Sequence, residues 1–172
     1  MSTRNYRRFN GILKPSFTRH TKRTRTDMTD RKATTIRHNE TVEEALRIIT
    51  EYLSRQGVPL RMSTTNDGAA VTPLVEYALE QLARGMTQVE YAQWEAWSET
   101  YTEDVSQGRS RNLSTFSERA YENIERIGAY METLPVPFKR LTKLMKGRAV
   151  YNHPLIITCA LFYAADRAQD QA

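Results

Sequence analysis

Apolar residues return at helical spacing through most of the chain after residue 40. Val42, Ala45, Leu46, Ile49, Tyr52 and Leu53 form one such stripe. Thr41-Val42-Glu43-Glu44 ahead of it has the form of a capping box, and Gly57 and Pro59 close it. Residues 57–71 read as a loop, with turn chemistry at Ser63-Thr64-Thr65-Asn66-Asp67-Gly68. Thr72-Pro73 opens a second helix, striped by Leu74, Val75, Ala78, Leu79 and Leu82 and ended by Gly85. Thr87-Gln88-Val89-Glu90 caps a third, with Val89, Tyr91, Trp94, Trp97, Tyr101 and Val105.

Residues 107–112 read as a polar hinge. A fourth helix spans about Ser114 to Leu134, with Phe116, Ala120, Ile124, Ile127, Met131 and Leu134 buried, and Pro135 and Pro137 stop it. A short basic helix is expected over Pro137 to Lys146. Asn152-His153-Pro154 starts a last helix, apolar on most sides through Ala165, which places it at the centre of a bundle or at an interface. Alternation at Thr34, Ile36 and His38 predicts one short strand near 33–38. The expected fold is mostly α: a helical domain of about six helices over 33–172, behind a tail over 1–32.

Charge changes this picture at the N-terminus. The chain of 172 residues carries a net +5. Residues 1–32 hold ten Lys/Arg against two Asp, a net of +8, and the remainder holds 15 Lys/Arg against 18 Asp/Glu, a net of −3. Few apolar residues interrupt that basic segment, so it is expected to be disordered when free. Its cations are Arg4, Arg7, Arg8, Lys14, Arg19, Lys22, Arg23, Arg25, Arg31 and Lys32. Guanidinium groups donate to phosphate oxygens in pairs and stay charged. Tyr6, Phe9 and Phe17 lie among them, suited to stacking on unpaired bases. Such an arm neutralises phosphates without reading sequence. It also fits an Arg-rich, acid-poor mitochondrial presequence, a solubilising extension, or a leader before a start at Met28.

A second basic element holds Lys139, Arg140, Lys143, Lys146 and Arg148, with no acid between Glu132 and Asp166. It is either a solvated face or a phosphate-binding groove in the folded body. Residues 76–104 have the opposite sign: Glu76, Glu80, Glu90, Glu95, Glu99, Glu103 and Asp104 meet one cation, Arg84. This is ordinary surface charge, or a place for a basic arm to rest. Trp94, Trp97 and Tyr101 lie within about 60° around an ideal helix. They suit core packing or an aromatic hot spot at a subunit interface.

Signals of catalysis are absent from the pattern. No phosphate-cradling glycine loop and no H-E-x-x-H occurs, and His20, His38 and His153 lack metal-ligand spacing. Cys159, the single cysteine, sits in an apolar run and reads as a buried packing residue, with His153 helping the helix to start. No disulfide framework exists, and the longest apolar run, near 154–165, is too short to span a bilayer. No enzyme activity, cofactor, metal or membrane is expected. The setting is a reducing one, intracellular or within a virion, or the mitochondrial matrix if residues 1–32 are a transit peptide.

Lys32-Ala33-Thr34-Thr35-Ile36-Arg37, with the helices after it, resembles the ribbon-helix-helix repressors. That resemblance implies a dimeric ribbon reading duplex DNA, with Ala33, Thr35 and Arg37 outward. The link between the two helices is longer here than in that family. A basic arm before a helical domain is also similar in architecture to helical viral nucleocapsid and coat proteins. The expected function is thus a self-assembling, homo-oligomeric RNA- or DNA-binding protein of that type. The alternatives are a sequence-specific DNA regulator and an organellar structural subunit.

Overall fold

The run from Leu155 to Ala165 dictates the architecture, because a helix apolar on nearly all sides must be surrounded. The structure, a computed structural model, describes residues 34–60, 70–104, 109–113, 116–136, 138 and 140–171. Thr34–Ala172 makes one unit by itself. In chain order its elements are β1 (Thr34–His38), α1 (Glu40–Arg55), α2 (Val71–Gly85), a 3-10 turn (Met86–Gln88) and α3 (Tyr91–Asp104). β2 (Arg109–Leu113), α4 (Glu118–Glu132), β3 (Thr142–Met145), β4 (Arg148–Tyr151) and α5 (His153–Asp170) follow. The fold is mostly α, as the pattern predicts. The basic segment 1–32 lies outside the described residues.

α5 is the central element. It packs against α1, α2, α3, α4 and β1. Leu155, Ile156, Ile157, Cys159, Ala160 and Leu161 are buried, and the buried Thr158 hydroxyl donates to the Pro154 carbonyl at 2.8 Å. That bond removes the cost of an unpaired hydroxyl in the core. The stripes of α1, α2 and α4 face it: Val42, Ile49 and Leu53; Leu74, Val75, Leu79 and Leu82; Ile124, Ile127 and Met131.

Helix ends differ from expectation in detail. Asn39, not Thr41, caps α1, its Oδ1 accepting from the Val42 N–H at 2.9 Å. α1 ends at Gln56 and Gly57, where the Gly57 N–H meets the Ser54 carbonyl and the Val58 N–H meets the Leu53 carbonyl. α2 opens at Val71, two residues before Pro73. The Glu90 carbonyl, not Thr87, receives the first bonds of α3, from the Gln93 and Trp94 N–H groups. α4 starts later than expected, behind Ser117, whose side chain accepts from the Ala120 N–H.

Two segments depart from the expected class. The polar hinge over 107–112 contributes β2, which pairs antiparallel with β1 from Thr34↔Leu113 to His38↔Arg109. Its residues show no clear alternation; cross-strand pairing and burial of Ile36 and Leu113 decide the state. The basic helix expected over 137–146 is instead the start of a hairpin, β3–β4. Lys146 and Gly147 have φ of 52° and 78°. Two successive positive-φ residues make the tight loop whose twist suits a hairpin, and no helix passes through them. Among the described residues there are accordingly five α-helices, not six.

The hairpin stands on α4 through a close approach. A Cβ at Gly128 would lie 2.7 Å from the Cγ and Cδ2 atoms of Tyr151. Those are ring atoms near the backbone, which cannot swing aside cheaply. Gly128→Ala is therefore expected to destabilise by about 1–2 kcal/mol, although alanine favours a helix by about 1 kcal/mol over glycine. Urea unfolding checks this; a stabilised variant would contradict the contact.

Candidate nucleic-acid interface

Three anchors hold the hairpin. Leu141 at its base is buried, and its N–H donates to the Phe138 carbonyl at 3.2 Å. Phe138 stacks on Tyr91 with centroids 5.8 Å apart and an interplanar angle of 15°. Asn152, at the junction with α5, closes the other end. Its backbone N–H donates to the Leu141 carbonyl and its Nδ2 to the Arg140 carbonyl, both at 2.8 Å. The amide thus serves the hairpin and makes no side-chain cap on α5. Tyr151 supplies the third anchor, its hydroxyl donating to Glu132 Oε1 at 2.6 Å. Burial, together with the Glu132 carboxylate it donates to, pushes the Tyr151 hydroxyl up to about 12, so it stays a donor throughout the neutral range.

Beyond these anchors the ribbon is exposed. Lys143, Lys146 and Arg148 are all exposed, as is Arg140 just before the first strand. The pairing Lys143↔Val150, Leu144↔Ala149 and Met145↔Arg148 fixes the faces. Lys143, Met145 and Arg148 share one face, Leu144 shares the other with Ala149, and Lys146 occupies the turn. The structure therefore brings three of the five predicted body cations onto the hairpin with Arg140 exposed just before it, while Lys139 falls outside the described residues. Sequence reasoning missed the apolar part of this surface: Leu144 is 76% and Met145 52% exposed. On the helix expected there, both lie on the side away from Lys139, Lys143 and Lys146.

The acidic residues have other duties. Glu76 accepts from the Ser117 N–H at 2.8 Å. Glu80 accepts from Arg84, Arg119 and the buried Asn123 Nδ2, all within 3.2 Å, and so ties α2 to α4. A cleft of about 640 Å³ carries Glu40, Glu44 and Asp166 over a floor that includes Trp97 and Phe162. Burial raises the Asp166 carboxyl above its ordinary value, with Asp170 adding to the effect and a hydrogen bond from Trp97 opposing it. The hairpin joins α5 at its first residue, and the cleft begins at Phe162. Nine residues of helix put the two about 13 Å apart along the axis. Opposite charges are thus displayed at different levels of one helix.

Trp94, Trp97 and Tyr101 do not form an outer face. They are 0%, 5% and 8% exposed within the single chain. Trp94 meets Trp97 edge-on at 5.6 Å, and Trp97 meets Tyr163 at 6.2 Å. Of the two expected readings, core packing describes them, because a fourth helix beside α1, α2 and α4 covers the apolar surface of α5. Cys159 is fully buried, and desolvation pushes its thiol up to about 12, which disfavours the thiolate that a nucleophile needs. Among the described residues no three His, Cys, Asp or Glu side chains group to hold a metal ion. No helix of the described residues is long and apolar enough to cross a membrane. The cations from Arg4 to Lys32 lie outside the described residues.

No protein-family model, curated protein or solved structure matches the chain.

The Glu80 cluster gives a test of this division of labour. Its hydrogen bonds, led by Arg119 and then Asn123, hold the Glu80 carboxyl down at about 2 against an ordinary 4.5. A depressed folded-state value contributes stability that is present above about 4.5 and lost as pH falls toward about 2. Glu80→Gln is expected to cost about 1 kcal/mol at pH 7. The gap from wild type should close as urea unfolding is repeated between pH 4.5 and 2. A gap that stays constant would contradict the ionised role.

Proposed function

We propose that this chain is a non-enzymatic nucleic-acid-binding protein. Its phosphate contacts would come from the β3–β4 hairpin and from the basic N-terminal segment. The observation that carries the reading is the hairpin itself. Lys143, Lys146 and Arg148 lie exposed on the hairpin and Arg140 lies exposed just before it, inside a stretch with no acid between Glu132 and Asp166. A chain of net −3 outside its first 32 residues still concentrates positive charge at that place. Cations displayed in this way bind phosphate backbones with little regard to sequence.

Lys146 adds weight. A side chain at φ 52° is costlier than glycine, and Asn or Gly fills that turn position more comfortably. Keeping a lysine there places a charge at the outermost point of the ribbon. The subunit contacts expected of Trp94, Trp97, Tyr101 and the last helix meet residues buried in the chain's own core, so self-assembly would have to use another surface. The ribbon-helix-helix alternative needs β1 to pair with a second copy, whereas β1 pairs with β2 of its own chain.

Fluorescence anisotropy of labelled oligonucleotides at a series of salt concentrations tests the reading. Each phosphate neutralised contributes about −0.7 to −0.9 to the slope of log K against log salt. Replacing Lys143, Lys146 and Arg148 together with alanine should flatten the slope by about 2–3. Deleting residues 1–32 should flatten it by several units more. Wild-type slopes in both proteins would refute the proposal.

A further inference from the structure

The apolar pair on the hairpin is unexplained by phosphate binding. Leu144 and Met145 are 76% and 52% exposed, and they adjoin the cations Lys143, Lys146 and Arg148. Exposed large apolar side chains beside charges that attract a polyanion call for a partner with an apolar interior behind a negative surface. Stacked base pairs behind two phosphate strands have that build. We infer that the ribbon enters the minor groove of duplex DNA and that Leu144 and Met145 wedge between base steps, kinking the duplex. This inference rests on the nucleic-acid reading above and deepens it.

Four features favour the duplex. Adjacent strand residues point to opposite faces, so Leu144 and Met145 flank the ribbon on both sides. Met145 shares its face with Lys143 and Arg148, and Leu144 shares the other with Thr142, so neither face is wholly apolar. An anionic membrane would be met first by the turn, whose residues are Lys146 and Gly147, so a charge would lead the way into hydrocarbon. A second copy of the same hairpin would oppose cations to cations, with no acid in the stretch to relieve them.

The dimensions agree with a deformed duplex. Two paired strands lie about 4.8 Å apart, and the minor groove is about 6 Å wide. Side chains on a ribbon of that width require the groove to open. Apolar wedges between base steps open it and bend the duplex toward the major groove by about 20–90°. Cations on either side of the wedge then reach the flanking phosphates. Lys143 and Arg148 share a face as diagonal neighbours, and Lys146 sits beyond them at the turn.

The test uses the full chain and a duplex of random sequence, about 25 bp long, labelled at both ends for energy transfer. The wild-type protein should shorten the end-to-end distance. Replacing both apolar residues (Leu144→Ser with Met145→Ser) should leave the duplex straight and weaken duplex binding about tenfold, while the salt slope stays as in wild type. Both positions are exposed, so melting by circular dichroism should be unchanged. Leu144→Met with Met145→Leu should bend the duplex like wild type. Binding without bending by the wild type, or full bending by the serine variant, overturns the wedge and leaves the phosphate reading standing. Binding to phosphatidylserine vesicles with no binding to the duplex overturns both.

Discussion

α5 buries side chains on nearly every side between Leu155 and Ala165, and that demand for cover organises the rest of the chain. Three amphipathic helices, α1, α2 and α4, present one stripe each. α3 adds Trp94, Trp97 and Tyr101, and the β1–β2 ribbon adds Ile36 and Leu113. Each fully buried large side chain contributes about 1.5–3 kcal/mol by leaving water, so the sum opposes the entropy of ordering the chain. With cover complete, the acids of α2 are free for polar ties such as Glu80 with Arg119 and Asn123.

The same helix fixes where function can be displayed. Its start is Asn152-His153-Pro154, and Asn152 spends its amide on the carbonyl of Arg140. The hairpin's two ends are thereby clipped together where α5 begins. Gly128 lets Tyr151 lie flat on α4, and Glu132 takes its hydroxyl proton's hydrogen bond. A rigid base and a free tip follow from these contacts. The cations and the Leu144–Met145 pair lie exposed beyond those anchors.

Much of this was legible in the residues. The stripes of α1, α2 and α4 and the continuous apolar run of α5 are periodic over ten or more positions, where pattern is most decisive. Ile36 revealed a strand from a few alternating residues. The hairpin was hidden because Phe138, Leu141, Leu144 and Met145 also fit a helical spacing. Its turn is Lys-Gly, without the Asn or Asp that announces such loops. β2 was hidden because its strand state comes from pairing with residues some 75 positions earlier, which local pattern cannot report. The aromatic residues of α3 were placed correctly on one helical side. Whether that side met the core or a partner depended on how many helices remained to cover α5. For the site, residue identity was readable and geometry was not. The five cations were visible in the sequence, whereas the gathering of Lys143, Lys146 and Arg148 on one ribbon beside exposed apolar side chains was not.

Amide chemical-shift mapping of the full chain during titration with a short duplex locates the proposed contact between nucleic acid and the folded body. The largest shifts are expected at residues 140–151, with small ones along the Glu40–Glu44–Asp166 cleft. Shifts centred on the cleft, or an unperturbed hairpin at saturating duplex, would contradict it.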